Sequence, residues 1–159
     1  MQISGSLTKG GTLVWCGNGG SAADIQYLVA ELVSRFKRGL KALRSIALTT
    51  DTWILTCVGN DYSHEDIFPR QLEALAKEGG VLVAISISGS SENVMLALRA
   101  AKELGVNTIA LLERDGGQAK ALADFAVLVP SDSTARIQEA HIFSGNLLCD
   151  LIEKELGLA

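Results

Sequence analysis

Four serines crowd into six residues in the run Ser86-Ile87-Ser88-Gly89-Ser90-Ser91. The run follows an apolar stretch and precedes a helical pattern. Hydroxyls and free backbone N–H groups converging on one point suit a phosphate, which accepts hydrogen bonds on several oxygens. The run holds no Lys or Arg, so dipoles more than charge would neutralise the ligand. Serine-rich turns are also ordinary caps and linkers, but four hydroxyls directly after a buried strand favour the ligand reading. A second turn, Gly17-Asn18-Gly19-Gly20-Ser21, has complementary chemistry. Its glycines let backbone N–H groups approach a ligand closely, and the start of the following helix favours negative charge. Gly17-x-Gly19-x-x-Ala22 is a poor dinucleotide fingerprint, because the acidic residue wanted about 20 positions later is missing and Asp51 comes too late. A Walker A loop is excluded, since no Gly-Lys-Ser/Thr follows.

Turns of this kind need elements to hold them. Short apolar runs predict strands over Thr12–Cys16, Ser45–Leu48, Gly80–Ser86, Asn107–Leu112 and Phe125–Val129. They lack polar alternation, the pattern of strands covered on both faces. Helical patterns lie between them at Ser21–Phe36, Thr52–Gly59, Glu65–Lys77, Ser91–Leu104 and Gly117–Leu122, with a final helix from about Ser133 to Leu156. Pro130 would end the last strand, and Ser131, Asp132 or Ser133 would cap the last helix. Such alternation predicts an α/β fold: a three-layer αβα sandwich on a five-stranded parallel sheet, flavodoxin-like in kind. Ligands in such sheets bind at the carboxyl ends of the strands, where both turns and the Thr49-Thr50-Asp51-Thr52 turn fall.

Composition bounds the rest. The 159 residues suggest one domain, and 48% hydrophobic against 20% charged residues suits a packed core. The longest apolar run, Val81–Ile85, is far too short to span a membrane. A net charge of −4 argues against direct nucleic-acid binding. The start shows no signal peptide. Cys16, Cys57 and Cys149, an odd number without C-x-x-C spacing, read as buried thiols in a reducing cytoplasm.

Several motifs together resemble the phosphoheptose isomerase family, whose fold is the SIS (sugar isomerase) domain. They are Gly17-Asn18-Gly19-Gly20-Ser21-Ala22, Ala47-Leu48-Thr49-Thr50-Asp51-Thr52, Gly59-Asn60-Asp61-Tyr62, Ile85-Ser86-Ile87-Ser88-Gly89 and Thr134-Ala135-Arg136-Ile137-Gln138-Glu139. The resemblance runs from about Gly10 to Glu153. It implies an isomerase of sedoheptulose 7-phosphate and an aldoheptose 7-phosphate, serving lipopolysaccharide or other heptose pathways. It also implies a homotetramer whose sites are completed across subunit contacts. Phosphate contacts would come from Ser86, Ser88 and Ser91, with Ile87 between them as a further substrate-binding position. Sugar contacts would come from Asn18, Gly19, Gly20, Asn60, Asp61 and Gln138. Glu31 matches the family's catalytic base, which moves a proton between two carbons. It lies four residues after Tyr27, on one helix face.

The chain also departs from that family. Tyr27 stands where members carry a histidine that helps bind a metal, typically zinc. Asn146 stands where they carry a second histidine, the catalytic acid and metal ligand. An amide exchanges no proton near neutral pH and is a poor zinc ligand, and a phenol with a pKa near 10 is a weak one, so no metal site and no cofactor is assigned. Ile87 replaces a usual threonine, and only Met1–Leu13 precede the core of strand one, where the family has a helical segment. The expectation is thus a single SIS domain over residues 1–159, lacking most of that segment. His141 reads as structural and His64 as a surface residue. An alternative is a SIS domain that binds a sugar phosphate or a protein partner without chemistry. Bacterial replication-initiator-associating SIS proteins are similar in having Asn at the position of Asn146 and in the stretch Leu148–Ile152. A relative with a shifted substrate, its pocket reshaped by Tyr27 and Ile87, is a third reading.

Overall fold

The computed structural model describes residues 2–37 and 41–157. Five strands, β1 (Leu13–Gly17), β2 (Ser45–Ala47), β3 (Val81–Ser86), β4 (Asn107–Glu113) and β5 (Phe125–Val129), form one sheet in the order β2-β1-β3-β4-β5. Every ladder is parallel. The order reverses between β1 and β3, so the turns that leave these two strands diverge and open a crevice. Those are the glycine turn and the serine turn.

Side-chain alternation along β1 explains the layers. Leu13 and Trp15 face one cluster, and Val14 and Cys16 face the other. The first cluster holds α1 (Gln2–Thr8), α2 (Gly20–Val33) and α7 (Thr134–Glu155), through Ile3, Ile25, Leu28, Cys149 and Ile152. The second holds α3 (Thr52–Asp61), α4 (Pro69–Leu75), α5 (Glu92–Glu103) and α6 (Ala119–Leu122), through Val58, Leu72, Leu98 and Ala119. The three-layer αβα expectation is met. No described helix is long and apolar enough to cross a membrane.

Several local expectations need correction. Helix α1 was not expected, because Gln2–Thr8 carries only Ile3 and Leu7 as a helical apolar pair and has Gly5 between them. Packing holds it: Ile3 is fully buried, and Ser6 Oγ donates to Gly79 O at 2.6 Å. Strand β5 is not covered on both faces. It is an edge strand, with Phe125 54% and Val127 43% exposed. The helix expected over Glu65–Lys77 is broken into a 3-10 turn, His64–Asp66, and α4. Pro69 cannot donate a backbone bond, so it starts a helix and does not continue one. Helix α2 stops at Val33, short of Phe36, because the backbone N–H groups of Phe36 and Lys37 donate to the buried carboxylate of Glu153 at 3.2 and 3.1 Å. Ser133 flanks α7 without a side-chain capping bond; Ser131 Oγ instead accepts from Ser133 N. Cys57 is exposed, unlike the buried Cys16 and Cys149.

Candidate active site

The glycine turn and the serine turn meet where β1 and β3 end. Gly17 must lack a side chain, since a Cβ there would lie 2.8 Å from Ile85 O. Gly19 turns the chain with φ +56°. Asn18 and Asn93 exchange two amide hydrogen bonds, of 2.8 and 2.9 Å, which tie the first turn to α5. In the serine turn, Ser86 Oγ accepts from Gly89 N at 3.2 Å and donates to Ser91 Oγ at 3.4 Å. Ser88 Oγ accepts from Ser90 N. Gly89, at φ +62°, presses so close to Gly116 that a Cβ would lie 2.2 Å from its carbonyl oxygen. These bonds leave a cavity of about 270 Å³ lined by Asn18, Ser21, Ile85, Ser86, Ile87, Ser88, Ser91 and Thr134. No cation lines it. Three helices, α2, α5 and α7, begin beside it, and their free N–H ends favour an anion.

Asn93, Ser21 and Thr134 were missed as site residues. The signal for Thr134 was present, since it opens the motif that contains Gln138. Asn93 could be found only from its contact, 75 positions from Asn18.

Gln138 lies over the first turn of α2, where a Cβ on Gly20 would come within 2.6 Å of its Nε2. Its side chain lies near Asp24, whose Oδ2 is buried without a hydrogen-bond partner. Burial pushes the Asp24 carboxyl above its usual range, partly offset by Gln138 and by nearby His141. His141 is fully buried. Its Nε2 lies 3.3 Å from Leu112 O, a carbonyl that can only accept, so this nitrogen carries the proton. Burial lowers its pKa, against the Leu112 bond and the charges of Asp24 and Glu113. His64 is exposed.

Further down, α2 and α7 run side by side in the same direction. Leu28 packs on Gly145, where a Cβ would lie 2.4 Å from Leu28 Cδ1. Tyr27 Oη donates to Asn146 Oδ1 at 3.0 Å. Glu31 faces Cys149, whose thiol is pushed up to about 12 by burial, with Glu31 and Glu153 adding to the effect. Glu31 and Tyr27 thus share one face at this seam. The seam is distant from the serine turn: Glu31 is eleven residues beyond Gly20 on a continuous helix, about 16 Å along its axis. The described chain therefore does not bring Glu31 to the phosphate-type cavity.

Asn60 and Asp61 form a third group, at the exposed end of α3. Asn60 Nδ2 donates to Asp61 Oδ1 at 2.8 Å and Cys57 Sγ to Asp61 Oδ2 at 3.3 Å. Both bonds lower the Asp61 pKa, Asn60 the more, and the Cys57 thiol is raised in return. Neither Asn60 nor Asp61 lines the cavity. A larger hollow, of about 410 Å³, lies elsewhere, between α1 and the Lys41–Arg44 segment.

The SIS domain family model matches residues 2–113. The chain is 55% identical over 147 residues to the phosphoheptose isomerase of Clostridium acetobutylicum, covering 92% of this chain and 75% of that one. It is 56% identical over 154 residues to that of Geotalea daltonii, covering 97% and 80%. The chain belongs to the phosphoheptose isomerase family. With that it joins a family of isomerase enzymes. The structure of phosphoheptose isomerase from Neisseria gonorrhoeae superposes with a TM-score of 0.91 at 44% identity, over 96% of this chain and 82% of that one. The Francisella tularensis enzyme gives 0.93 at 36%, over the same shares.

Zinc, which the family implies, is not matched by the residues present. Tyr27 and Asn146 spend their polar atoms on each other. Among the described residues, no three His, Cys, Asp or Glu are grouped to hold a metal ion. A neutral phenol and a neutral amide are poor donors to zinc.

Proposed function

We propose that this chain interconverts sedoheptulose 7-phosphate and an aldoheptose 7-phosphate in the cytoplasm, within heptose and lipopolysaccharide synthesis. The observation that carries the reading is the serine cavity beside three helix starts, which suits the phosphate of a sugar phosphate. Ser86, Ser88 and Ser91 hold the phosphate, with Ile87 packing beside it. Asn18, Gly19, Gly20 and Gln138 contact the sugar, while Asn60 and Asp61, which do not line this cavity, serve the site of another copy.

Aldose–ketose exchange moves one proton between neighbouring carbons. The Glu31 carboxylate takes the proton from the carbon beside the carbonyl. The released electron pair forms the carbon–carbon double bond, and the carbonyl pair moves to oxygen. The proton of the neighbouring hydroxyl passes to the first carbonyl oxygen, the carbonyl re-forms on that neighbouring carbon, and Glu31 returns its proton to the carbon that bore the first carbonyl, so nothing is gained or lost overall. Tyr27 lies one turn away on the same face, and its O–H is already donated to Asn146 Oδ1, so the pair holds the seam in place beside the base.

Glu31 lies well away from the phosphate end of the site, and the reading takes the base serving one cavity from another copy of the chain. A homotetramer with shared sites fits this need. Trp53, Phe143 and Leu147, all strongly exposed in the single chain, supply apolar area for such contacts.

The Tyr27–Asn146 bond favours a second reading, a SIS domain that binds sugar phosphate, or a protein partner, without turnover. One experiment separates the two. Purified protein is incubated with sedoheptulose 7-phosphate and followed by proton NMR, with Glu31→Gln as the control. Aldoheptose phosphate formed by the native chain and not by the variant supports the isomerase. Protection from unfolding by the sugar phosphate without turnover supports the binder.

A further inference from the structure

We propose that the α2–α7 seam works without a metal ion, the Tyr27–Asn146 hydrogen bond replacing the coordination bonds that two histidines make in the family. The inference concerns the seam that the isomerase reading uses, but its test does not require turnover.

Three observations carry it. First, the two residues that depart from the family are bonded to each other, at 3.0 Å across 119 positions of sequence. Each satisfies the other, so the pair ties α2 to α7 without a third party. The phenol must keep its proton to make this bond, and zinc binding would require that proton to leave. Second, the remaining polar positions do not rebuild a donor set. Gln138 lies over Gly20 at the start of α2, two turns from Asn146. Glu31 then offers one carboxylate beside the pair, whereas protein zinc sites use three or four nitrogen, sulfur or carboxylate ligands. Third, positive charge is already in place. Asp150, one turn beyond Asn146, pairs with both Lys37 and Lys154. Lys37 and Asp150 line the same small hollow as Asn146, of about 200 Å³. A divalent cation entering there would face an ammonium, and the nearest extra carboxylate is already neutralised.

The seam is therefore closed by a neutral hydrogen bond between the two residues that stand where family members hold a metal ion.

The test counts metal. The full chain is dialysed against zinc, freed of excess and analysed by atomic emission, alongside Tyr27→Phe/Asn146→Ala and Tyr27→His/Asn146→His double variants. The native chain is expected to retain far less than one zinc per chain, and its thermal unfolding should not respond to chelator. The double-histidine variant is expected to gain about one zinc per chain and a chelator-sensitive rise in melting temperature. Stoichiometric zinc in the native chain that is lost in Tyr27→Phe/Asn146→Ala overturns the proposal. Zinc that this variant retains is held elsewhere, and the proposal stands. A folded double-histidine variant that takes no zinc also overturns it, because the two replacements would then not be what sets the metal. Should that variant fail to fold, the native chain and the Phe/Ala variant decide alone.

Discussion

The serine cavity and the α2–α7 seam solve different problems with different materials. The cavity is made of backbone N–H groups, hydroxyls and helix starts, locked by glycines that touch other backbone: Gly17 against Ile85 O and Gly89 against Gly116 O. The seam is made of side chains in mid-helix, where Tyr27, Glu31 and Asn146 project from regular backbone. A turn of the first kind cannot change without moving the sheet edge. A residue of the second kind can be exchanged while both helices stay as they are. That is a physical reason why the turns resist exchange while the seam positions tolerate it.

Four measurements would break or sharpen this contrast. The largest effect is expected at the seam: Glu31→Gln should lower kcat about 10²–10⁴-fold, with the unfolding midpoint nearly unchanged. A large loss of stability instead would make Glu31 a structural residue. The next is at the cavity, where Gly89→Ala should destabilise by about 3 kcal/mol, read from urea unfolding. Its Cβ would collide with backbone and adopt a positive φ that alanine resists. Gly145→Ala at the seam meets only the Leu28 side chain and should cost less, about 1–2 kcal/mol. Equal losses at the two glycines would remove the contrast.

A third effect tests the ground between the two regions. Burial lowers the His141 pKa below its ordinary 6.5, so the folded protein binds fewer protons there than the unfolded chain. Stability should therefore be fully present above that ordinary value. It should fall as pH drops through it toward the lower folded value, by at most about 1.4 kcal/mol per pH unit. His141→Gln should flatten the profile of urea midpoints in that window, and an unchanged profile would assign the slope to other groups. The smallest effect is Ser88→Ala, which removes one hydroxyl from the cavity wall. Inorganic phosphate, measured by calorimetry, should bind about five- to tenfold more weakly, a loss of about 1 kcal/mol. Zinc content should not change. No loss of phosphate affinity would place the anion elsewhere.

Much of this molecule was legible before any fold was known. Ser86–Ser91 and Gly17–Ser21 announced their chemistry through residue type alone, and the structure puts both in one crevice. Strand β5 kept its expected bounds, Phe125–Val129, but its cover was misjudged, since apolar composition looks the same in a central strand and an unpartnered edge. Helix α1 escaped notice because seven residues rich in Ser and Gly carry almost no period. Glu31 was recognised by its match to a family motif, yet its distance from the serines was not foreseen.

What the sequence determined by itself was the alternation of strand and helix and the chemistry of each turn. Apolar period and turn residues act within a few positions, so they are written locally. The tertiary structure alone decided which distant residues meet. It paired Asn18 with Asn93, set Gln138 on Gly20 and closed Tyr27 onto Asn146. It also held Glu31 three turns from the crevice. Those contacts depend on how helices seat on a twisted sheet, through close packing of many side chains at once, and no short stretch of sequence encodes that geometry.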